Sequence, residues 1–323
     1  RDSFESRVVP EHGIDIEWID IKGIRGKGFV SKLMMPLRLL HAMFQAMKVI
    51  RRRKPCVVLG MGGFASGPGG LMAWLLRKPL LVHEQNAIPG LTNRILAKLA
   101  GVVLQAFPGV FNKAVTTGNP VRQAICEIEE PQTRMARHLS ENRDNLRLLV
   151  IGGSLGAVKL NEVLPQALAK IEIDKRPLVF HQTGLKNIEA ATNLYLDAGI
   201  DARVEAFIDD MPSAYEWADL VICRSGAMTV FELAAAGVAS ILVPYPYAVD
   251  DHQTANANYL EHSGAAVIRQ QNELTADWLA DAIMDYSVNR KKLLDMAQAA
   301  RKLSIPDSAK VIADACVSAG GIA

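Results

Sequence analysis

The feature that most constrains the fold is a repeated unit in which a short apolar run ends at a turn and a helical pattern follows. The clearest example is RLLVIGGSLGA at residues 147–157. The first 110 residues contain the runs GIDIEWIDI, PCVVLG, PLLVHEQ and GVVLQAF, and residues 147–270 contain RLLVIGGSLGA, PLVFHQTG, ARVEAFI, DLVICRSGAMT, ASILVPYP and AAVIRQ. Strands that alternate with helices predict an α/β protein with parallel sheets.

A polar stretch divides the two series of strands. In EIEEPQTRMARHLSENRDN, at residues 127–145, proline and charged residues replace the apolar rhythm. We predict a first domain of residues 1–124 and a second of residues 125–303, with a C-terminal helix of residues 304–323 joining the first. Two doubly wound halves that face each other would form a ligand cleft at the carboxyl ends of their strands.

Composition excludes several classes of protein. The formal net charge of +2 is too small for nucleic-acid binding through bulk electrostatics, and the four cysteines have neither zinc-ligand nor disulfide-framework spacing. No apolar run reaches the roughly 18 residues of a membrane span, so we expect a soluble or peripheral protein in a reducing cytoplasm. The chain opens on Arg1 within RDSFESRVVPEHG, which suggests an N-terminal truncation.

Two glycine-containing turns indicate a phosphate site. In GGSLGA the backbone N–H groups can approach an anion at a helix start, and Ser154 can add a hydroxyl donor. In CRSGAMTVFELAAAG, Met228 and Thr229 open a helix that carries Glu232, whose carboxylate can accept hydrogen bonds from a ribose diol. Close strand–helix packing and simple capping are the alternatives, and the pairing of the two turns favours a nucleotide site.

Further polar clusters follow other strands. Phe207 and Ile208 suit a flat base, and Arg122 can bridge a diphosphate. The segment DDHQTANA, with Gln253, suits sugar hydroxyls, whereas its Asp250–Asp251 pair fits a helix N-cap better than a metal site, as does Asp209–Asp210. GMGGFASGPGG can cradle a phosphate or pack closely, and the histidine of HEQN is more often structural than catalytic.

An apolar stripe in the first domain is bordered by basic residues. From Leu33 the residues Leu37, Leu40, Phe44 and Met47 recur at helical spacing, among lysines and arginines such as Arg38. Core packing is one explanation, and contact with an anionic membrane surface is the other.

Eight motifs together carry a family resemblance. In order and over nearly the whole chain, GIRGKG, GMGGFASGPGG, HEQNAIPGLTN, TTGNPVR, GGSLGA, FIDDM, CRSGAMTVFELAAAG and DDHQTANA resemble the MurG family of N-acetylglucosaminyltransferases. The resemblance implies the GT-B architecture of two Rossmann-like domains with a cleft between them. It also implies inverting transfer of N-acetylglucosamine from UDP-N-acetylglucosamine to undecaprenyl-diphosphoryl-N-acetylmuramoyl-pentapeptide, without a metal or cofactor.

The same resemblance assigns residues and surroundings. The donor-binding residues would be Asn86, Arg122, Ser154, Ile208, Ala227, Met228, Thr229, Glu232 and Gln253. The membrane patch would comprise Leu33, Leu37, Arg38, Leu40, Met43 and Trp74. We therefore expect a peripheral protein on the cytoplasmic face of the bacterial inner membrane, working in peptidoglycan synthesis, cell shape and division beside other cell-wall synthesis proteins.

The catalytic base stays unassigned. The family's usual base is a histidine in a GGTGGH loop, a motif that this sequence does not contain, and His83 and Glu84 match no base role. Two other functions are compatible with the donor motifs: a non-catalytic UDP-sugar-binding or scaffold protein, and another GT-B enzyme such as a UDP-N-acetylglucosamine 2-epimerase. The HEQN motif and the basic patch disfavour the epimerase.

Overall fold

The computed structural model describes residues 5–21, 35–140, 145–153 and 156–321. The chain forms two compact units. Unit 1 takes the residues through Glu84, Pro89–Thr116 and Lys310–Ala323, and unit 2 takes Gln85–Ile88 and Thr117–Ala309.

Unit 1 is built on a parallel sheet whose described strands lie in sequence order. These strands are β1 (Val58–Gly60), β2 (Leu80–Glu84), β3 (Val102–Gln105) and β4 (Val115–Thr116). The described helices that precede β4 in the chain are α1 (Glu5–Glu11), α2 (Met35–Arg53), α3 (Gly63–Leu75) and α4 (Leu91–Leu96). Every residue of β2 is buried, as expected for a parallel strand that is covered on both faces.

Helix α2 packs one narrow face onto α3. Its buried residues Ala42, Ala46 and Ile50 recur every four positions, and Ala46 and Ile50 form a cluster with Met72 and Ala73 of α3. Small side chains at two of these positions let the helices approach closely. The bulky apolar residues of α2 therefore lie mostly on its other faces.

The segment GIDIEWIDI is not a strand, so this prediction was wrong. The Asp20 backbone N–H donates to Oε1 of Gln45 on α2 at 2.7 Å, and Gln45 Nε2 donates to the Asp20 carboxylate at 2.9 Å. A side chain of α2 thus supplies the hydrogen bonds that a neighbouring strand would provide.

Unit 2 contains a parallel sheet of order β10-β9-β8-β5-β6-β7. Its strands are β5 (Arg147–Ile151), β6 (Leu178–Gln182), β7 (Arg203–Glu205), β8 (Leu220–Cys223), β9 (Ala239–Leu242) and β10 (Ala266–Ile268). All six apolar runs predicted as strands in this half are confirmed. The chain leaves β5 in one direction as far as β7 and returns to pair β8 with the other side of β5, which creates a topological switch point there.

The helices of unit 2 cover this sheet. They are α5 (Gln123–Cys126), α6 (Pro131–Ser140), α7 (Val158–Ala169), α8 (Ile188–Asp197), α9 (Met211–Trp217), α10 (Ala227–Ala236), α11 (His252–Glu261), α12 (Ala276–Val288) and α13 (Arg290–Lys302), followed by α14 (Ser308–Gly320), which starts here and continues into unit 1. Three of these helices, α12 to α14, follow one another near the end of the chain. The main core of unit 2 includes Leu160 and Leu164 of α7 together with Leu279 and Ile283 of α12.

The helices in the described part of the chain include none that is long and apolar enough to cross a bilayer.

Candidate functional site

Helix α10 begins directly after the turn that ends β8. Its N-cap is Gly226, which has no side chain with which to cap the helix. The first turn of α10, with Ala227, Met228 and Thr229, therefore presents backbone N–H groups that no capping side chain satisfies. Such a helix start attracts anions through both its N–H groups and its dipole.

Glu232 lies one turn into α10 and is held by two side chains. Its Oε2 accepts a hydrogen bond from the Tyr215 hydroxyl at 3.0 Å, and its Oε1 faces Nη2 of Arg122 at 3.5 Å. Only 16% of the Glu232 side chain is exposed. Burial raises the pKa of Glu232 above its ordinary value, and the opposing effects of Arg122 and Tyr215 only partly offset this.

Arg122 lies just before α5, at its N-cap position. Its side chain is 51% exposed, so the pair with Glu232 is open to solvent on one side. The structure thus brings together two of the residues assigned to the donor. An exposed guanidinium that reaches a carboxylate on α10 has the chemistry to bind a diphosphate.

Ile208 and Phe207 follow the end of β7. The Ile208 side chain is buried, whereas Phe207 is half exposed. A ligand at this position can therefore be recognised only through the backbone groups of Ile208, because its side chain is buried. The next residues lead into α9, where the Asp210 carboxylate accepts from the Ser213 N–H at 3.1 Å, so the predicted N-cap is confirmed.

A buried asparagine, Asn256, joins the segment that carries Asn86 to the turn before α10. Asn256 on α11 accepts from the Ala87 N–H at 2.8 Å and donates to Oδ1 of Asn86 at 3.2 Å and to the Ser225 carbonyl at 3.3 Å. Gln253, at the start of α11, accepts from the Tyr245 N–H at 2.9 Å. The sequence placed Asn256 in a polar cluster, but only the structure shows that it fixes Asn86 beside the turn that precedes α10.

The first glycine-rich turn shows why its composition is restricted. Gly156 has a φ of +76°, and a Cβ there would lie 2.2 Å from the Thr183 carbonyl oxygen. Gly153 has a φ of +77° but open space around it. Ser154, the residue assigned to the diphosphate, lies outside the described residues.

His83 and Glu84 are buried at the carboxyl end of β2 in unit 1. Glu84 accepts from the Gly90 N–H at 3.1 Å and from Nδ2 of Asn93 at 2.9 Å. These bonds hold the turn that leads into α4, which is a structural task for the carboxylate.

The predicted membrane patch divides between surface and core. Leu37 and Leu40 on α2 are 61% and 60% exposed, and Phe44 is also exposed. Core packing therefore does not explain these three. Met43 and Met47 are partly buried against the cluster shared by α2 and α3. Arg38 and Trp74 are exposed as well, and Leu33 lies outside the described residues.

Among the described residues, no group of three or more His, Cys, Asp or Glu side chains is arranged to hold a metal ion. Asp251 belongs to the acidic pair Asp250–Asp251 noted in the sequence, and it accepts a hydrogen bond from the Thr254 hydroxyl at 2.8 Å.

The sequence matches both halves of a known glycosyltransferase family. Residues 1–105 match the glycosyltransferase family 28 N-terminal domain, and residues 147–312 match the family 28 C-terminal domain. The chain is 51% identical to the UDP-N-acetylglucosamine–N-acetylmuramyl-(pentapeptide) pyrophosphoryl-undecaprenol N-acetylglucosamine transferase of Nitrosomonas europaea, over 99% of this chain and 89% of that protein.

Solved structures agree with the sequence match. The crystal structure of Acinetobacter baumannii MurG superposes with a TM-score of 0.83 at 42% identity, covering 98% of this chain and 88% of that one. The UDP-GlcNAc 2-epimerase of Neisseria meningitidis shares the fold alone, with a TM-score of 0.58 at 13% identity over 87% of this chain and 82% of that one. The two parallel-sheet units are those of the GT-B fold, as predicted. The chain belongs to glycosyltransferase family 28 and, within it, to the MurG family.

Proposed function

We propose that this chain transfers N-acetylglucosamine from UDP-N-acetylglucosamine to the C4 hydroxyl of undecaprenyl-diphosphoryl-N-acetylmuramoyl-pentapeptide, with inversion at the anomeric carbon. This is a hexosyltransferase reaction of peptidoglycan synthesis. The Nitrosomonas europaea relative is named as an N-acetylglucosamine transferase that acts on an N-acetylmuramyl-(pentapeptide) pyrophosphoryl-undecaprenol, and its identity of 51% extends over nearly the whole chain.

The observation that carries the proposal within this molecule is the arrangement at the start of α10. The uncapped start of α10 lies on the same helix as the carboxylate of Glu232, which is about one turn further along, and Arg122 reaches that carboxylate. A nucleoside diphosphate needs anion binding for its phosphates and an acceptor for its ribose hydroxyls. This helix offers both within one turn.

The remaining donor contacts follow from the positions of the other residues. The diphosphate would bind at Met228 and Thr229, with help from Arg122 and Ser154. Uracil would meet the backbone of Ile208. The sugar would meet Asn86, Ala227 and Gln253, and this set is supported by the hydrogen bonds of Asn256, which hold the segment of Asn86 next to the turn before α10.

The reaction requires stabilisation of the leaving UDP as the bond to the sugar breaks. Negative charge then grows on the diphosphate, where the positive end of the α10 dipole and the Arg122 guanidinium would stabilise it. Once Arg122 has turned to the bound diphosphate, both groups are in place before the bond breaks, so little reorganisation is needed in the transition state. The acceptor proton must also be removed, and we assign no described residue to that step.

We further propose that the protein binds the cytoplasmic face of the inner membrane peripherally. The exposed side chains of Leu37, Leu40 and Phe44 lie on a helix that ends in Arg51, Arg52 and Arg53. Apolar side chains can enter the interface of the bilayer while arginines meet anionic headgroups. This location would bring the acceptor, which is anchored by its undecaprenyl chain, to the enzyme.

The test is transfer of radiolabelled N-acetylglucosamine from UDP to a lipid-linked muramoyl-pentapeptide, with separation of lipid and aqueous products. Label in the lipid fraction that depends on both substrates is the expected result. Binding of UDP-N-acetylglucosamine without transfer would contradict the proposal and favour a binding or scaffold protein. Conversion of the donor to its C2 epimer would favour an epimerase.

A further inference from the structure

The carboxylate of Glu232 has one fixed neighbour. The Tyr215 hydroxyl donates to Oε2 at 3.0 Å, and the Tyr215 side chain is fully buried. Burial, as the largest cause, raises the pKa of Tyr215 well above its ordinary value, so the phenol keeps its proton and remains a donor. A buried hydroxyl that gave up this acceptor would have to find another, which makes the bond costly to break.

The other neighbour of Glu232 is held less firmly. Arg122 reaches Oε1 at 3.5 Å, near the limit for a hydrogen bond, and half of its side chain is exposed. Exposed ion pairs of this kind contribute little to stability. Arg122 can therefore turn from the carboxylate to a phosphate at small cost, whereas Tyr215 stays in place.

Tyr215 owes its position to the short helix α9. The helix is capped by Asp210, and its residues Met211 and Ala214 are buried beside Tyr215. A capped helix anchored by buried side chains holds the direction of the phenol. The donor group is thus fixed by the fold before any ligand arrives.

We propose that Tyr215 is a positioning residue for donor recognition, which holds the Glu232 carboxylate in the orientation that accepts hydrogen bonds from the ribose diol. This inference rests on the proposed function, because it needs Glu232 to bind ribose. Tyr215 itself does not touch the donor. Its contribution is to select one side-chain orientation of Glu232 from the several that a glutamate can adopt.

The consequence is selectivity for ribose over deoxyribose. A carboxylate in a fixed orientation can bind the 2′ and 3′ hydroxyls together, and loss of one hydroxyl then leaves a buried acceptor partly unsatisfied. A carboxylate that is free to turn would lose this advantage. The discrimination between UDP and 2′-deoxy-UDP therefore reports on the positioning of Glu232.

The experiment compares Tyr215→Phe with Tyr195→Phe by calorimetric titration of UDP and 2′-deoxy-UDP. Tyr195 is a matched control because it is a buried tyrosine of the same unit whose hydroxyl pairs with His181 instead. We expect Tyr215→Phe to weaken UDP binding about tenfold and 2′-deoxy-UDP binding less than about threefold, the scale of losing one hydrogen bond to a charged group. Tyr195→Phe should leave the ratio of the two affinities unchanged.

A second measurement is the affinity for UDP as the pH is lowered, which gives the acid limb of the pH profile. The charged and titratable groups that face Glu232 are Arg122, Tyr215 and Cys223. The Tyr215 hydrogen bond lowers the pKa of Glu232, so its removal in Tyr215→Phe should raise that pKa further. Affinity for UDP should then begin to fall at a higher pH than in the wild type as the solution is acidified.

The outcomes distinguish failure of the ribose role of Glu232 from failure of the positioning role of Tyr215. If the wild type binds UDP and 2′-deoxy-UDP equally well, Glu232 does not read the ribose, and both that role and the inference fall. If the wild type prefers UDP and Tyr215→Phe keeps the same preference and the same acid limb, the role of Tyr215 alone falls, and its hydrogen bond serves only stability.

Discussion

The guanidinium of Arg134 donates to the backbone carbonyl of Ala236 over 2.9 Å, at the end of α10 opposite Thr229. Arg301 reaches the same carbonyl at 3.5 Å. Burial lowers the pKa of Arg134 to about 10, and it therefore remains protonated at neutral pH. A buried cation thus lies at the negative end of the dipole whose positive end would bind the donor.

Replacement of Arg134 by leucine should destabilise the protein. The substitution removes the closer of the two donors to the Ala236 carbonyl, the last carbonyl of α10, and we expect a loss of about 2–4 kcal/mol in the free energy of unfolding. Urea denaturation measures it. Among the described residues, Arg137 on the same helix forms its ion pairs with Glu129 and Glu216 at the surface, so Arg137→Leu should cost less than about 1 kcal/mol. Equal losses in the two variants would contradict the assigned role.

Replacement of Glu232 by glutamine should separate affinity from stability. The loss of a charged acceptor should weaken UDP-sugar binding by about 1–3 kcal/mol, measured by calorimetry. The matched control is Glu216→Gln, which alters an exposed carboxylate on the neighbouring α9. Unchanged affinity in a folded Glu232→Gln protein would exclude the ribose role.

The stability of the same variant should change in the opposite direction. Burial raises the folded-state pKa of Glu232, so the folded protein binds this proton more tightly than the unfolded chain does. This tighter proton binding contributes to the free energy of unfolding. The contribution is fully present below the ordinary pKa of glutamate and is lost as the pH rises through the pKa of Glu232 in the folded protein. At neutral pH, Glu232→Gln should therefore be more stable than the wild type, and the difference should vanish in acid. Thermal unfolding across this pH range tests the sign.

A methyl group at Gly156 should lower the free energy of unfolding more than one at Gly153. Both residues have positive φ, so alanine at either position costs roughly 1 kcal/mol of backbone strain. Only at Gly156 would the Cβ collide with the backbone, at the Thr183 carbonyl oxygen. We expect Gly156→Ala to lose at least about 2 kcal/mol more in urea denaturation than Gly153→Ala. A smaller difference would mean that the turn relaxes around the methyl group.

Charges on the exposed face of α2 should release the protein from membranes. We expect Leu37→Asp combined with Leu40→Asp to lower binding to vesicles of anionic phospholipid at least about tenfold, because each leucine would bury apolar area worth roughly 1.5 kcal/mol or more. Co-sedimentation measures the bound fraction. Leu196, 69% exposed on α8 of unit 2, supplies the control substitution Leu196→Asp. Equal release by both proteins would place the membrane contact elsewhere.

The central strands β5, β8 and β9 of unit 2 could be predicted because they are buried on both faces. Leu148, Leu149 and Val150 of β5 are all buried, so these three successive positions require apolar residues and the apolar run is continuous. The strand β4 has two residues, Val115 and Thr116, both exposed, and such a short element leaves no pattern to recognise.

In unit 1, the alternation of apolar and polar residues led to a strand prediction that was wrong. GIDIEWIDI alternates as a half-buried strand does, but a strand also needs a partner, and the side chain of Gln45 takes that place at Asp20. The patterning of a segment does not specify what lies beside it.

At the candidate site, the sequence placed Arg122 and Glu232 through their motifs, yet it missed Tyr215. The partner of Tyr215 lies 17 positions away on another helix. A tyrosine in a short, largely buried helix has no pattern that distinguishes a positioning hydroxyl from ordinary packing. Contacts of this kind depend on how α9 and α10 pack, which only the folded unit determines.

The division of the chain between its units also sets an order of assembly during synthesis. Unit 1 includes Lys310–Ala323, and within it Ile312 is buried and Ala319 borders the same groove as Trp74 and Leu80. All of unit 2 therefore leaves the ribosome before unit 1 receives its last helical segment. The unit whose translation begins first is completed last, and until then the nascent chain carries an unfinished apolar surface that chaperones can recognise.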